Sequence, residues 1–201
     1  MFDAKLHPLS RALADRAAAP LARARMSAMG MTIAGFLIGL AALPTIATGH
    51  YKTGLALILI NRLADALDGA LARREGPTDR GAFLDASLDF LFYGSVPLAF
   101  ALANTQANAL AACFLLLGFI GTGSSFLAFA SLAAKRGLEA QNFPQKGIYY
   151  LGGLTEGAET IAFFGLICLW PQSFPWAACL FASLCLITTA LRWNWGLRIL
   201  T

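Results

Sequence analysis

Charge is scarce in this chain. Only 13% of its 201 residues are Asp, Glu, Lys or Arg, against 58% hydrophobic, whereas a soluble domain carries about a quarter charged residues. Together with a mean hydropathy of +0.64, this excludes an ordinary soluble domain. Histidine is scarcer still. His7 and His50 have no partner at ligand spacing, so no zinc site is expected. The four cysteines (Cys113, Cys168, Cys179, Cys185) lie inside apolar runs without a CxxC pair and read as small buried hydrophobes, neither disulfides nor metal ligands. No continuous apolar stretch opens the chain, which argues against a cleaved signal peptide. Neither an internal repeat nor a soluble domain is visible. The net charge of +4 does not point to nucleic acid, because the basic residues sit at the ends of apolar runs, where lipid headgroups and topology account for them.

What the chain has in quantity is apolar runs of about 20 residues, long enough to cross a hydrocarbon core. The expected fold class is all-α: an integral membrane bundle of six transmembrane helices preceded by an amphipathic juxtamembrane helix. Residues 1–28 alternate Lys, Arg and Asp with Leu and Ala and form the interfacial segment, broken near Pro8 and Pro20. Residues 29–201 form the six-helix domain. Its spans are expected at about Met29–Thr48, Thr53–Ala72, Ala82–Ala103, Ala107–Ala134, Ile148–Trp170 and Phe174–Leu191, with short connections, among them Arg73–Gly81.

Charge sets the orientation. With the amino terminus in the cytoplasm, Lys5, Arg11, Arg16, Arg23, Arg25, Arg73, Arg74, Arg80, Lys135, Arg136, Lys146, Arg192 and Arg198 all lie inside. Lys52 falls outside and Arg62 within the second span, as the positive-inside rule anticipates for an even number of spans. Trp170 and Trp176 flank the outer turn, and Trp193 and Trp195 mark the inner interface.

Four aspartates interrupt the second and third spans close to their cytoplasmic turn. Asp65 and Asp68 are three apart, Asp85 and Asp89 four apart, so each pair shares a helical face. Ionisable residues in a membrane segment mark function by default. Three readings compete. The carboxylates hold two divalent cations, which hard oxygen ligands select as Mg²⁺ or Mn²⁺ and which steady a diphosphate. They relay protons or coordinate Na⁺ in an ion-coupled transporter. Or they form structural ion pairs with Arg62 and Arg73. An EF-hand is excluded, because its ligand series is missing.

The pattern Asp65-x2-Asp68-Gly69-x2-Ala72-Arg73…Gly81-x3-Asp85-x3-Asp89 resembles the signature of the CDP-alcohol phosphotransferase (phosphatidyltransferase) family, and the six-span plan agrees along the whole chain. Seven residues separate Arg73 from Gly81, one fewer than the family pattern. The resemblance implies Asp65, Asp68, Asp85 and Asp89 as ligands of two Mg²⁺ or Mn²⁺ ions, with Asp89 also the general base. It implies Asp68, Gly69, Ala72, Arg73 and Gly81 as the nucleotide site. The implied reaction moves a phosphatidyl group from CDP-diacylglycerol to the hydroxyl of a small alcohol and releases CMP. The alternative within the class transfers a head-group from CDP-choline or CDP-ethanolamine to diacylglycerol. A bacterial inner-membrane protein with both termini and the active site on the cytoplasmic side is expected, as a homodimer.

The acceptor is less legible. Lys135, Arg136 and Arg192 would suit an acceptor phosphate, or serve as topology anchors. Glu156 and Glu159, three apart in the fifth span, would hold an amine or polyol, or pair with Arg62 or Arg192. Tyr149, Tyr150, Gly152 and Gly153 line a cavity mouth or pack at the interface. The small residues Gly118, Gly121, Gly123, Ser124 and Ser125 suit close helix packing, within the bundle or at a dimer interface.

Overall fold

The computed structural model describes residues 3–137 and 153–201, all in helices and short turns. In chain order these are α1 (Asp3–Arg23), α2 (Ala28–Leu40), α3 (Ala42–Ala47), α4 (Tyr51–Glu75), α5 (Asp79–Ala103), α6 (Thr105–Lys135), α7 (Gly157–Leu169), a 3₁₀ turn at Pro171–Ser173, and α8 (Phe174–Ile199). Lys146, Tyr149, Tyr150 and Gly152 lie outside the described residues.

Among the described residues, four helical stretches are long and apolar enough to cross a membrane: Ala28–Ala47, Asp79–Ala103, Thr105–Lys135 and Pro171–Ile199. The expected second span, α4, is 25 residues long but carries Lys52, Arg62, Asp65, Asp68, Arg73, Arg74 and Glu75, too much charge for that group. The fifth, α7, is apolar but only 13 residues long. Large apolar side chains remain exposed along the bundle, including Leu63, Leu91, Leu110, Leu117, Ile120 and Leu166. Such a girdle has no place in water, and with four crossing-length helices it marks a membrane protein.

Several boundaries differ from expectation for local reasons. The first span breaks at Ala41, because Pro44 has no N–H to bond the carbonyl of Leu40. Helix α1 instead runs unbroken through both prolines. Pro20 is exposed, so the Arg16 carbonyl that loses its helical donor meets the surroundings rather than the core. Residues 153–156 are not helical, and α7 begins only at Gly157, where Glu156 and Glu159 form a capping box. The sixth helix continues past Leu191 to Ile199, since Arg192, Trp193, Trp195 and Arg198 end an apolar run without ending a helix.

Close approach of small residues sets the packing around α4. A Cβ added to Gly35 would meet that of Ala64 at 2.7 Å, and one added to Gly39 would meet Asn61 and Phe92 at 2.8 Å. The Asn61 side-chain amide donates to the Gly35 carbonyl at 2.9 Å, which ties α2 to α4. Between α6 and α8, Gly118 lies against Ala182 and Cys185, and Gly121 against Thr189, while Gly123 faces Phe90 of α5. These glycines therefore pack helices within one chain. Aromatic rings fill the far end of the core, with Phe100 and Phe174 stacked at 4.6 Å and Phe163 and Phe181 at 4.4 Å.

Helix α1 lies along α4 and buries Ala14 and Ala18 in a cluster with Ala64, Ala70 and Leu71. Arg73 donates to the Asp15 carboxylate at 2.7 Å and Arg74 to the Asp15 carbonyl at 2.8 Å. Glu75 accepts from the Ala28 backbone N–H at 3.2 Å, so the end of α4 also caps the start of α2.

The glycine contacts give a stability test. Gly39→Val forces side chains into Asn61 and Phe92 and should destabilise the detergent-solubilised protein by about 1–3 kcal/mol. Gly165→Ala, whose added carbon meets nothing within 4 Å, should be neutral or stabilising by up to about 1 kcal/mol. Thermal melts followed by helical circular dichroism compare the two.

Candidate active site

The site begins with a tight reversal. Helix α4 ends where Gly76 takes φ = 96°, a left-handed conformation that glycine adopts without strain, and Pro77 follows. Thr78 then caps α5 by accepting from the Gly81 N–H at 3.1 Å, with Asp79 in the first turn. Only residues 76–78 separate the helices, so Arg73 and Gly81, expected in the connection, are both helical. Because the reversal is tight, the last turns of α4 and the first turns of α5 face one another, and the aspartates meet.

Asp65, Asp68 and Asp85 each offer a carboxylate oxygen within 4.8 Å of the others. On an octahedral Mg²⁺ with bonds of about 2.1 Å, adjacent ligand oxygens stand about 3.0 Å apart and opposite ones about 4.2 Å, so the trio would close somewhat further around a bound ion. Asp68 is 7% exposed, and its Oδ2 has no hydrogen-bond partner. A buried carboxylate oxygen left that way costs several kcal/mol unless a cation meets it. The donor set is all oxygen, which suits a hard divalent ion and not zinc. The residues therefore fit such a metal.

Asp89 faces the same cleft but stands apart from the trio. Its Oδ1 accepts from Arg62 Nη2 at 2.6 Å, and Arg62 Nη1 also lies 3.7 Å from Asp65. Asp68 and Asp85 form no ion pair among the described residues. The ion-pair reading thus holds for Asp89, only weakly for Asp65, and not for Arg73, whose partner is Asp15. The cleft, about 240 Å³ with its open side, is lined by these acids together with Thr32, Gly35, Asn61, Arg62 and Phe92.

The residues expected to border a nucleotide are also at this end. A Cβ at Gly69 would meet nothing nearer than Arg73 Nη1 at 3.5 Å, and one at Gly81 only the Thr78 hydroxyl at 3.1 Å. Neither glycine is pressed against another helix, so both leave open backbone. Ala72 is half-buried and Arg73 exposed on the same helix.

The expected acceptor residues fall at the end of α6, at the start of α7 and within α8. Arg136 donates to the Leu200 carbonyl and so fastens the end of α8, while neighbouring Lys135 is exposed. Glu156 accepts from the Gly153 N–H at 2.9 Å, and Glu159 from the Glu156 N–H at 3.2 Å, both at the start of α7. Arg192 alone is buried, at 7% exposure, and donates to the Thr122 carbonyl at 2.9 Å across α6 and α8.

Sequence reasoning missed Asn61 and Tyr93 and underweighted Arg62. Each was within reach of helical spacing: Asn61 and Arg62 precede Asp65 by four and three residues, and Tyr93 follows Asp89 by four. The Asp15–Arg73 pair spans 58 residues and carries no local signal.

Two helices joined by this turn thus present three convergent carboxylates, with a fourth at hand, as an acidic site suited to a divalent metal. The family profile of the CDP-alcohol phosphatidyltransferases matches residues 25–190, and the chain belongs to that family. It is 53% identical to the inner membrane protein YnjF of Escherichia coli over 192 residues, 96% of this chain and 93% of that one. It is 42% identical to the archaetidylinositol phosphate synthase of Methanothermobacter thermautotrophicus over 85 residues, 42% of this chain and 40% of the relative. The crystal structure of Mycobacterium tuberculosis phosphatidylinositol phosphate synthase with CDP-DAG bound superposes with a TM-score of 0.71 at 23% identity, over 90% of this chain and 92% of that one. The same enzyme with manganese and citrate gives a TM-score of 0.70 at 24% identity, covering 91% and 88%. Both structures establish the fold. Family membership supports a transferase over an ion-coupled transporter.

Asp68 gives a two-signed test of the metal site. Asp68→Asn should raise the melting temperature of the chelator-treated protein, because it removes a buried, half-satisfied charge worth about 1–3 kcal/mol. It should also weaken Mn²⁺ binding. Outer-shell partners alone are worth about 10–100-fold in metal affinity, so loss of a ligand should cost at least that much. Melts with and without chelator, and an Mn²⁺ isotherm, measure the two effects.

Proposed function

We propose that the protein transfers a phosphatidyl group from CDP-diacylglycerol to the hydroxyl of a small alcohol and releases CMP. The observation that carries this reading is the buried, unpartnered oxygen of Asp68 among three converging carboxylates, in a chain of this family. The CDP-DAG and manganese named for the Mycobacterium tuberculosis enzyme support the same donor and a divalent ion here.

Asp65, Asp68 and Asp85 would hold Mg²⁺ or Mn²⁺, with Asp89 contributing to a second ion. Bound there, divalent metal supplies the positive charge that offsets the diphosphate and the departing CMP. The chain's own groups do the rest. Gly69, Ala72 and Gly81 leave room for the nucleotide along the helix backbones, and the Arg73 fork leaves Asp15 for phosphate oxygen. Asp89 takes the proton of the acceptor hydroxyl as its oxygen bonds to the lipid-side phosphorus, and the bond from that phosphorus to the CMP oxygen breaks. Holding donor and acceptor in line supplies much of the acceleration.

The membrane arrangement follows the same reading. Helices α4 and α7 complete six spans with the four apolar ones, α1 rests on the membrane surface, and the cleft and both termini face the cytoplasm. The acceptor is a small alcohol, a polyol, polyol phosphate or amino alcohol. Of the basic candidates, Arg192 is the best placed to meet a phosphate on it, since Arg136 and the two glutamates already serve helix ends. The assembly is a homodimer.

CMP release by the purified protein in lipid nanodiscs tests the reaction. Supplied with CDP-diacylglycerol, Mg²⁺ or Mn²⁺ and a panel of alcohols, it should release CMP with one acceptor and stop on chelation. Asp89→Asn should abolish turnover, by at least about 100-fold given the usual worth of a general base, while nucleotide affinity is largely kept. Turnover unchanged in Asp89→Asn would remove the base from Asp89. No release with any acceptor would count against the donor.

A further inference from the structure

Among the described residues Arg62 is the one cationic side chain lining the cleft, and it is built in from every side. Its side chain is 16% exposed. Nη2 donates to Asp89 at 2.6 Å, Nη1 to the Tyr93 hydroxyl at 3.3 Å with Asp65 at 3.7 Å, and Nε to Asn61 Oδ1 at 2.7 Å. The guanidinium carbon lies 4.6 Å from the centre of the Phe92 ring and 5.3 Å from that of Tyr93. Asn61 is fixed in turn by its bond to the Gly35 carbonyl. A guanidinium this deep in an apolar bundle needs a charge partner, and the one it grips most closely is the acid that stands outside the metal-fitting trio.

Resting on the transferase reading above, we propose that Arg62 is a tethered cation that occupies the charge position at Asp89 until the donor arrives. The trio binds one divalent ion without substrate. A second ion at Asp89 would lie beside the guanidinium, and the two positive charges repel at close quarters with little water between them. The second position fills only when a diphosphate adds enough negative charge to hold both cations, and Arg62 then releases Asp89. Metal loading is thereby made conditional on the donor, and the proton acceptor is kept engaged in its absence.

Mn²⁺ binding to the full chain in nanodiscs, followed by the electron paramagnetic resonance of free Mn²⁺, tests this with CDP as the diphosphate probe. Without CDP the wild type should bind one ion per chain, and with CDP two. Arg62→Gln should bind two without CDP, its second ion tighter than the wild type's by roughly tenfold or more, an ordinary size for coupling between neighbouring sites. Arg62→Lys, which keeps the charge but loses the fork, should fall between them and serves if the glutamine variant does not fold. Two ions in the wild type without CDP, bound as tightly as in the variant, would overturn the proposal. So would a second site that neither substitution tightens. No ion bound by the wild type would instead overturn the metal reading of the cleft, and this inference with it.

Discussion

Four carboxylates among lipid-facing helices have to be compensated, and the rest of the fold is arranged around how that is done. An uncompensated charge in such a place costs several kcal/mol, so the acids cannot simply be tolerated. Two kinds of compensation coexist within one cleft. Asp89 has a resident guanidinium, with a bond of 2.6 Å. Asp65, Asp68 and Asp85 face one another, with one oxygen of Asp68 left unmet. The first arrangement is complete in the protein alone, and the second is completed only from outside. That asymmetry separates a site from a structural ion-pair network.

Keeping a cleft open beside tightly packed helices demands precise backbone separation. Gly35 and Gly39 let α2 approach α4 so closely that any side chain would collide with Ala64, Asn61 or Phe92. The same approach delivers the Gly35 carbonyl to Asn61, which then presents its own oxygen to Arg62. Helix packing and site electrostatics are thus one chain of contacts, from a glycine in the first span to Asp89 on α5. Gly69 and Gly81 do the opposite, leaving backbone uncovered where no helix approaches. Glycine spacing alone cannot tell these uses apart, since both look like small residues on a helical face.

That ambiguity explains much of what could be read from the sequence. Helix positions and the four aspartates were legible because hydrophobic runs and three- and four-residue spacings are local signals. The ends of α7 and α8 were not, because apolar length marks membrane depth while caps and hydrogen bonds mark where a helix stops. Glu156 read equally as an acid for the acceptor or for an arginine, and its carboxylate's contact with the Gly153 N–H at the start of a helix had no signal in the spacing. Arg62 was visible as a cation near acids, but which of them it grips depends on how α4 meets α5, a tertiary fact. The Asp15–Arg73 pair, 58 residues apart, left no trace in either element.

Arg62 and Arg73, both on α4 and both paired with acids, differ in how firmly they are held. Arg73 and Asp15 keep roughly two-fifths of their side-chain area exposed, 36% and 40%. Such pairs are typically worth about 0–1 kcal/mol, so the diphosphate of the donor proposed above would displace Asp15 readily. Arg62 is far less accessible and is held by Asn61, Tyr93 and two ring faces as well as by acids, so an anion alone does not dislodge it. For the donor proposed above, loosely held charge near the α4–α5 turn and firmly held charge inside the cleft would impose an order, the diphosphate meeting Arg73 first and the groups around Asp89 rearranging after it reaches the trio. Helix α1, which supplies Asp15, would therefore bear on the proposed donor from outside the cleft.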